Sequence, residues 1–268
     1  MMHPIERLRM VARAAGEGPA LVAQEAAGAL VAFGDDPAGL VTACRRLVDR
    51  QPTSGPIWWL AARVLCSSDP TQEAWRAVEE LQDDRTPEQL SAAMPDGATV
   101  TLVGLGEHTG EALVRRGDLE VLLVDNDTVE PHLIRRLQRT DTVLDAIPAS
   151  GVGAAVASSD LVVFEVSAMG PGAMVAPTGA RPAAAVARHA GLPVWAVAGV
   201  GRVLPGRLWD ALAARLDEDD EPWLAAEELV PADLVDVVVG PNGPQSLHEA
   251  IAAPMCPVAP ELLKEADY

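Results

Sequence analysis

A glycine-rich turn supplies the first residues whose types and spacing could do chemistry. Residues 100–110 have the pattern of a strand, a turn that holds Gly104, Gly106 and Gly110, and the start of a helix. Asp125 ends the next predicted strand. This order is close to the dinucleotide fingerprint, in which glycines let pyrophosphate approach a helix N-terminus and an acid binds ribose. Because the third glycine stands one place late, a tight strand–helix turn with an acidic cap explains the pattern equally well.

A second set of candidate residues lies between positions 161 and 181. A short apolar run ends in Glu165, and a loop that contains Gly172 follows it. Thr178 and Gly179 then precede Arg181, which opens a predicted helix. Free backbone N–H groups at a helix start, together with an arginine, suit one phosphate or carboxylate group.

Charge and composition exclude several classes of function. The net charge is −19 with no basic stripe, so nucleic acid is not an expected partner. Lys264 is the only lysine, which excludes a P-loop lysine. The three cysteines and five histidines match no ligand spacing, so we predict no metal and no cofactor. No apolar run approaches the ~20 residues that span a bilayer, and the N-terminus lacks a signal-peptide core. We therefore expect a cytoplasmic protein without membrane contact.

The elements that must position these residues change character near residue 94. Up to residue 93 the apolar residues follow helical spacing, whereas from residue 97 short β-branched runs alternate with helical stretches. Such alternation predicts a parallel sheet covered on both faces. The predicted fold class is α/β, with a helical N-terminal domain (1–93) and a Rossmann-like, mainly parallel sheet domain (94–268). The predicted strands are 98–103, 119–124, 142–147, 161–164, 193–197 and 234–239.

The order and spacing of several segments resemble the superfamily of initiation factor 2B, methylthioribose-1-phosphate isomerase and ribose-1,5-bisphosphate isomerase. In that family a buried strand ends in Gly-Ala-Asp, and Asn-Gly, a hairpin and Asn-Lys-x-Gly-Thr follow. The distance from Gly172 to Gly179 equals the family spacing. Residues 51–53, followed by Trp58 and Trp59, resemble the family's Arg-Pro-Thr-Ala-x-Asn-Leu-x-Trp, and residues 191–198 resemble Gly-x-Pro-[Phe/Val]-Tyr-Val-x-Ala. The matching stretches span roughly residues 45 to 245.

The same match of motifs shows where the chain departs from the family isomerases, which move a proton with a cysteine and an aspartate. Glu107 stands at the cysteine position and Val166 at the aspartate position, with Glu165 beside it. Ala176 and Pro177 replace the Asn-Lys pair. Proton transfer needs a positioned titratable pair, so we expect no isomerase activity on methylthioribose-1-phosphate or ribose-1,5-bisphosphate.

One alternative is that this site is still catalytic. Glu107 and Glu165 could form a new carboxylate pair with split pKa values and isomerise a phosphorylated pentose. Neighbouring strand residues face opposite sides of a sheet. If Val166 faces the pocket, Glu165 is therefore expected to point away from it.

The resemblance implies a divergent, initiation factor 2B-like protein that acts as a small-ligand-binding or a regulatory and assembly module. It also implies a homodimer, and the apolar stretch 251–260 is either part of its interface or a tail packed on its own core. A third possibility is nucleotide binding by residues 104–110 with Asp125.

We expect any ligand site to lie at the carboxyl ends of the strands. Glu107 at its wall would disfavour a second anionic group, so a phosphorylated monoanion should fit better than a bisphosphate. The candidate ligand-binding residues are Thr53, Gly104, Gly106, His108, Thr109, Gly110, Asp125, Gly172, Thr178, Gly179 and Arg181.

Overall fold

The computed structural model describes residues 19–124, 131–216, 221–252 and 254–264. Within its N-terminal part, Asp36 and Asp69 each accept a backbone N–H bond from the first turn of a helix, and each precedes a proline at the first helical positions. These are local signals that the sequence carries. Among the described residues, five helices form this N-terminal part, which we call the cap. They are α1 (Pro19–Leu30), α2 (Pro37–Arg50), α3 (Gly55–Cys66), α4 (Pro70–Gln82) and α5 (Thr86–Ala93). The helical pattern predicted for residues 3–18 lies outside the described residues.

The remainder of the described chain alternates strands and helices, as predicted. Its strands are β1 (Thr99–Val103), β2 (Glu120–Val124), β3 (Val143–Ile147), β4 (Leu161–Glu165), β5 (Ala168–Met169), β6 (Ala173–Pro177), β7 (Val194–Val197), β8 (Glu227–Pro231), β9 (Val237–Gly240) and β10 (Gly243–Ser246). Its helices are α6 (Glu107–Val114), α7 (Pro131–Leu137), α8 (Val152–Ala157), α9 (Ala180–Ala190), α10 (Gly206–Leu216) and α11 (Leu247–Ala252).

Seven strands form one sheet in the order β10-β9-β7-β4-β1-β2-β3. All neighbours pair in parallel except β10, which is antiparallel to β9. This confirms the predicted α/β class with a mainly parallel sheet. The chain builds outward from β1 in one direction and from β4 in the other, so a topological switch point lies between them. In open α/β sheets such a point opens a crevice at the carboxyl ends of the strands.

A second sheet of β5, β6 and β8 was not among the strands predicted from the sequence. These strands pair antiparallel, with Met174 opposite Val230, and both residues are fully buried. Their segments are short and rich in proline and alanine, so they lack the alternation that identifies a strand.

The cap shares one hydrophobic core with later segments of the chain. Trp58 and Trp59 of α3 pack in the same cluster as Trp209 of α10 and Leu262 near the C-terminus. The division at residue 93 into two domains stays a prediction. Among the described residues, no helix is long and apolar enough to cross a membrane.

The C-terminal segment packs largely on the protein's own core. Cys256, Ala259 and Leu262 are buried there, and the exposed large apolar side chains of the segment are Met255 and Val258. Most of the apolar surface that suggested an interface at residues 251–260 is therefore already covered.

Candidate functional site

The turn after β1 meets the end of β4 at the switch point of the sheet. Gly104 has a φ of +68°, which glycine adopts without steric cost. A Cβ at Gly106 would stand 2.3 Å from Oε2 of Glu165, so glycine is required for this close approach. The backbone N–H of Thr109 donates to the same oxygen at 3.0 Å. The carboxylate of Glu165 thus occupies the N-terminus of α6, where a bound phosphate would need to lie.

Glu165 belongs to a buried network of charged side chains from different parts of the chain. Its Oε1 accepts hydrogen bonds from His108 Nδ1 at 2.9 Å and from Arg202 Nη2 at 2.7 Å. On the other side of the imidazole, His108 Nε2 lies 2.9 Å from Oδ2 of Asp84. Asp84 connects α4 to α5 and also accepts the backbone N–H of Val200 at 2.7 Å. The network therefore joins the cap, α6, β4 and the loop after β7.

The carboxylates decide the charge of the histidine between them. Burial lowers the pKa of His108, but the charge of Glu165 and the hydrogen bonds to Asp84 and Glu165 outweigh it and raise the pKa to about 9. Burial opposes ionisation of both acids. Even so, Arg202 and His108 hold the pKa of Glu165 well below its usual range, and His108 lowers the pKa of Asp84 to about 2. At neutral pH the network holds two anions and two cations, so its formal charges cancel.

Glu107 faces a cavity of about 260 Å³ that His108, Glu111 and Arg202 also line. Burial raises the pKa of Glu107, whereas the pKa of Glu165 beneath it is lowered. Val166 lies in the hydrophobic core on the other side of the strand. The condition under which Glu165 was expected to point away from the pocket, that Val166 faces it, is therefore not met. The alternation of the strand holds: Val166 packs in the hydrophobic cluster with α9, and Glu165 takes the side of the glycine turn and α6.

A second carboxylate occupies the N-terminus of α9. Oε1 of Glu228 accepts the backbone N–H groups of Gly179 at 2.6 Å and of Arg181 at 3.0 Å. Thr178 lies beside them and donates its hydroxyl to the carbonyl of Ala225 at 2.6 Å. The N–H groups of this helix start, which we expected to be free for a phosphate or carboxylate group, bind the protein's own carboxylate. Sequence reasoning missed Glu228 because it lies on β8, a strand that the pattern did not predict.

The structure brings together some of the predicted ligand-binding residues and separates others. Gly179 lies at the carboxyl edge of β1, since a Cβ there would stand 3.4 Å from Cγ1 of Val103. Thr53 and Arg181 line another cavity, of about 450 Å³. Gly172 faces open space in the turn between β5 and β6, with nothing within 4 Å of a Cβ position. Gly110 is buried within α6.

Two further points concern cofactors and the nucleotide hypothesis. Asp125, the acid expected to bind ribose, lies outside the described residues. Among the residues that the structure describes, no group of three or more His, Cys, Asp or Glu side chains could hold a metal ion. Whether the predicted residues contact any ligand stays a prediction.

Comparison with known proteins identifies the fold. No family model and no curated protein matches the sequence. Among solved structures, eIF2B beta from Chaetomium thermophilum is 20% identical with a TM-score of 0.72, over 92% of this chain and 88% of that one. The translation initiation factor eIF-2B of Pyrococcus horikoshii is 12% identical, with a TM-score of 0.73 over 91% of this chain and 97% of its own.

An isomerase has the same fold. The 5-methylthioribose 1-phosphate isomerase of Pyrococcus horikoshii is 15% identical, with a TM-score of 0.60 over 90% of this chain and 83% of its own. The resemblance seen in the motifs is thus confirmed at the level of the fold. The chain has the architecture that the initiation factor subunits and this isomerase share, with a strongly diverged sequence.

Proposed function

We propose that this protein is a non-catalytic assembly or regulatory module with the fold of the eIF2B subunits. The observation that carries the proposal is that its own carboxylates, Glu165 and Glu228, occupy the N-termini of α6 and α9. A phosphate at either helix would meet a negative charge instead of free N–H donors. The two helix N-termini that the sequence led us to expect as anion sites are therefore not free to bind a sugar phosphate.

The charge states at the switch point also argue against the isomerase alternative. Glu107 has a raised pKa and suits a proton donor. Its expected partner, Glu165, is ion-paired with Arg202 and its pKa is lowered. It stays deprotonated, and its oxygens already accept bonds from His108, Arg202 and Thr109. The same carboxylate stands where the pyrophosphate of a dinucleotide would approach the turn at Gly106, which disfavours nucleotide binding.

A direct assay tests the absence of isomerase chemistry. Turnover of 5-methylthioribose 1-phosphate and of ribose 1,5-bisphosphate should stay below about 1 per second, the lower end of usual enzyme rates. The 5-methylthioribose 1-phosphate isomerase of Pyrococcus horikoshii serves as the positive control for the first of these substrates. Turnover above that rate which is lost in Glu107→Gln would contradict the proposal and favour the carboxylate-pair enzyme.

An exposed apolar turn supports the assembly part of the proposal. Trp223 and Leu224 are each 72% exposed, next to the cavity that Thr53, Leu216 and Leu229 line. Exposed large apolar side chains on a soluble domain commonly mark a partner site, and tryptophan is a frequent anchor. A similar structure is described as a tetrameric eIF2B-beta2-delta2 complex. We propose a second copy of this chain as the partner, because closed two-fold pairs are the commonest soluble oligomer.

A further inference from the structure

A second crevice lies at the carboxyl ends of β7 and β9, apart from the charged network. It encloses a cavity of about 240 Å³. One wall is the loop after β7 with Gly201, and the turn between β9 and β10 with Asn242 forms another. Ala250 of α11, Cys256 of the C-terminal segment and Trp59 of α3 complete the lining. The cavity is therefore bounded by the cap, the sheet edge and the C-terminal segment together.

Trp59, one of the residues that line the cavity, carries a buried hydrogen-bond donor that is not used by the described residues. Its side chain is 1% exposed, and its indole Nε1 has no hydrogen-bond partner among the described residues. The neighbouring Trp58, by contrast, donates its Nε1 to the carbonyl of Pro52 at 3.0 Å. Buried polar groups without a partner are rare in folded proteins. An acceptor bound against the edge of Trp59 that carries Nε1 would satisfy the indole N–H.

The remaining lining selects against charge in the occupant. Val200, Val203 and Val238 supply apolar walls. Burial raises the pKa of Cys256 to about 12, so its thiol stays neutral. Glu249 at the rim adds a negative charge, which disfavours an anion.

The mouth and the back wall differ in character. Asn242 and Gln245 at the mouth make no side-chain hydrogen bond within the described part of the chain. Gly201 lies so close to Trp59 that a Cβ would stand 3.2 Å from Cδ2 and Cε3 of the indole, so the six-membered ring packs against this backbone. An apolar pocket with a small number of converging polar groups is typical of a small-molecule site.

We propose that this cavity binds a small, uncharged molecule with an apolar body and a carbonyl acceptor. The carbonyl oxygen accepts the N–H of Trp59, and an amide or lactam N–H of the ligand meets the side-chain amides of Asn242 and Gln245. The proposal does not depend on the function proposed above, since no residue of the charged network lines this cavity.

Titration of the ¹⁵N-labelled full chain with benzamide tests the proposal. The six tryptophans give six indole N–H signals, and Trp59→Phe identifies the signal of Trp59. We expect benzamide to move that signal in a saturable way, as hydrogen bonding to the indole requires. Benzoate, which has nearly the same shape and a negative charge, should bind at least tenfold more weakly.

Two matched substitutions on α11 separate binding in the cavity from binding elsewhere. Ala250→Phe should fill the cavity and abolish the benzamide shift without touching the indole. Ala252→Phe, on an exposed position of the same helix, should leave the shift unchanged. If benzamide leaves the Trp59 signal in place, or if its binding survives Ala250→Phe, the proposal is overturned. The cavity then holds only water.

Discussion

At the scale of single residues, the arrangement of Asp84, His108, Glu165 and Arg202 is a buried set of alternating charges. Removing such groups from water is costly, and their mutual attraction repays this cost only when each charge is well paired. Here Glu165 accepts bonds from two cations and Asp84 also caps backbone N–H groups. Because Asp84 belongs to the cap and Glu165 to the sheet, we infer that the network holds the two parts in register.

The raised pKa of His108 predicts a pH dependence of stability. A group whose folded pKa exceeds its unfolded value stabilises the fold below the unfolded pKa, and this contribution is lost as the pH rises through the folded pKa. For His108 these values are 6.5 and about 9. Between these pH values, the free energy of unfolding should fall by on the order of 3 kcal/mol, as measured by urea denaturation.

His108→Gln should be less stable at pH 6.5 and should lose most of that pH dependence. His189→Gln is the matched control, because His189 is exposed on α9 and its removal should leave the wild-type decline intact. An equally steep decline in His108→Gln would show that another group titrates.

At the scale of elements, a carboxylate from another strand occupies the N-terminus of each of two helices, where an open anion site was expected. The N-terminus of a helix attracts anions through its free N–H groups and its dipole. The strand β8 delivers Glu228 to α9, and β4 delivers Glu165 to α6. In both cases a residue distant in the sequence caps the helix, whereas a side chain next to the helix start often does so.

Removing the carboxylate at α9 should create an anion site. In Glu228→Ala the N–H groups of Gly179 and Arg181 lose their acceptor, which should cost about 1 kcal/mol of stability. Phosphate should then raise the Tm of this variant more than sodium chloride of equal ionic strength does, and should not do so for the wild type. Asp233→Ala removes the same charge from an exposed position and serves as control. A wild-type protein that phosphate stabilises to the same extent would refute the idea that Glu228 fills the site.

The contact between the small sheet and α10 is also testable. A Cβ at Gly170 would stand 2.1 Å from Cγ of Trp209, whereas a Cβ at Gly172 would meet nothing within 4 Å. Gly170→Ala should therefore lower the free energy of unfolding by roughly 1–3 kcal/mol through overpacking, and Gly172→Ala should change it little. Urea denaturation compares the two. Similar losses in both variants would mean that the backbone of this turn, and not the contact with Trp209, explains the effect.

At the scale of the whole molecule, one core connects segments that are distant in the sequence. The cap, α10 and the C-terminal segment share a cluster of tryptophan, leucine and alanine side chains. This shared core covers most of the apolar tail and leaves Trp223 and Leu224 exposed elsewhere. If the protein assembles, the exposed turn is therefore a better interface than the tail.

The proposed dimer makes a prediction about mass in solution. Sedimentation of the wild type at micromolar concentration should give about twice the chain mass of 28.1 kDa. Trp223→Ala should shift the protein toward monomer, because a buried aromatic anchor commonly contributes 2 kcal/mol or more (~30-fold in affinity). Trp75→Ala removes another partly exposed tryptophan and should have no effect. A wild-type monomer, or equal effects of both substitutions, would rule out this interface.

The amino-acid sequence determined those features that depend on near neighbours along the chain. Helical spacing and proline-preceding aspartates indicated α2 and α4, and β-branched runs indicated six strands of the large sheet. Their order and motif spacing indicated the fold. Glu107 and His108 could be assigned to the glycine turn because they lie within it.

Only the tertiary structure decided what those residues meet. Arg202 reaches Glu165 across 37 positions of sequence, and Glu228 reaches Gly179 across 49. No local pattern encodes such pairs, because strand order and loop path determine which carboxylate arrives at which helix. The side that Glu165 takes was left conditional for the same reason: period-two alternation says that Glu165 and Val166 face opposite sides, but only the tertiary structure shows that Glu165 faces the glycine turn and Val166 the cluster with α9.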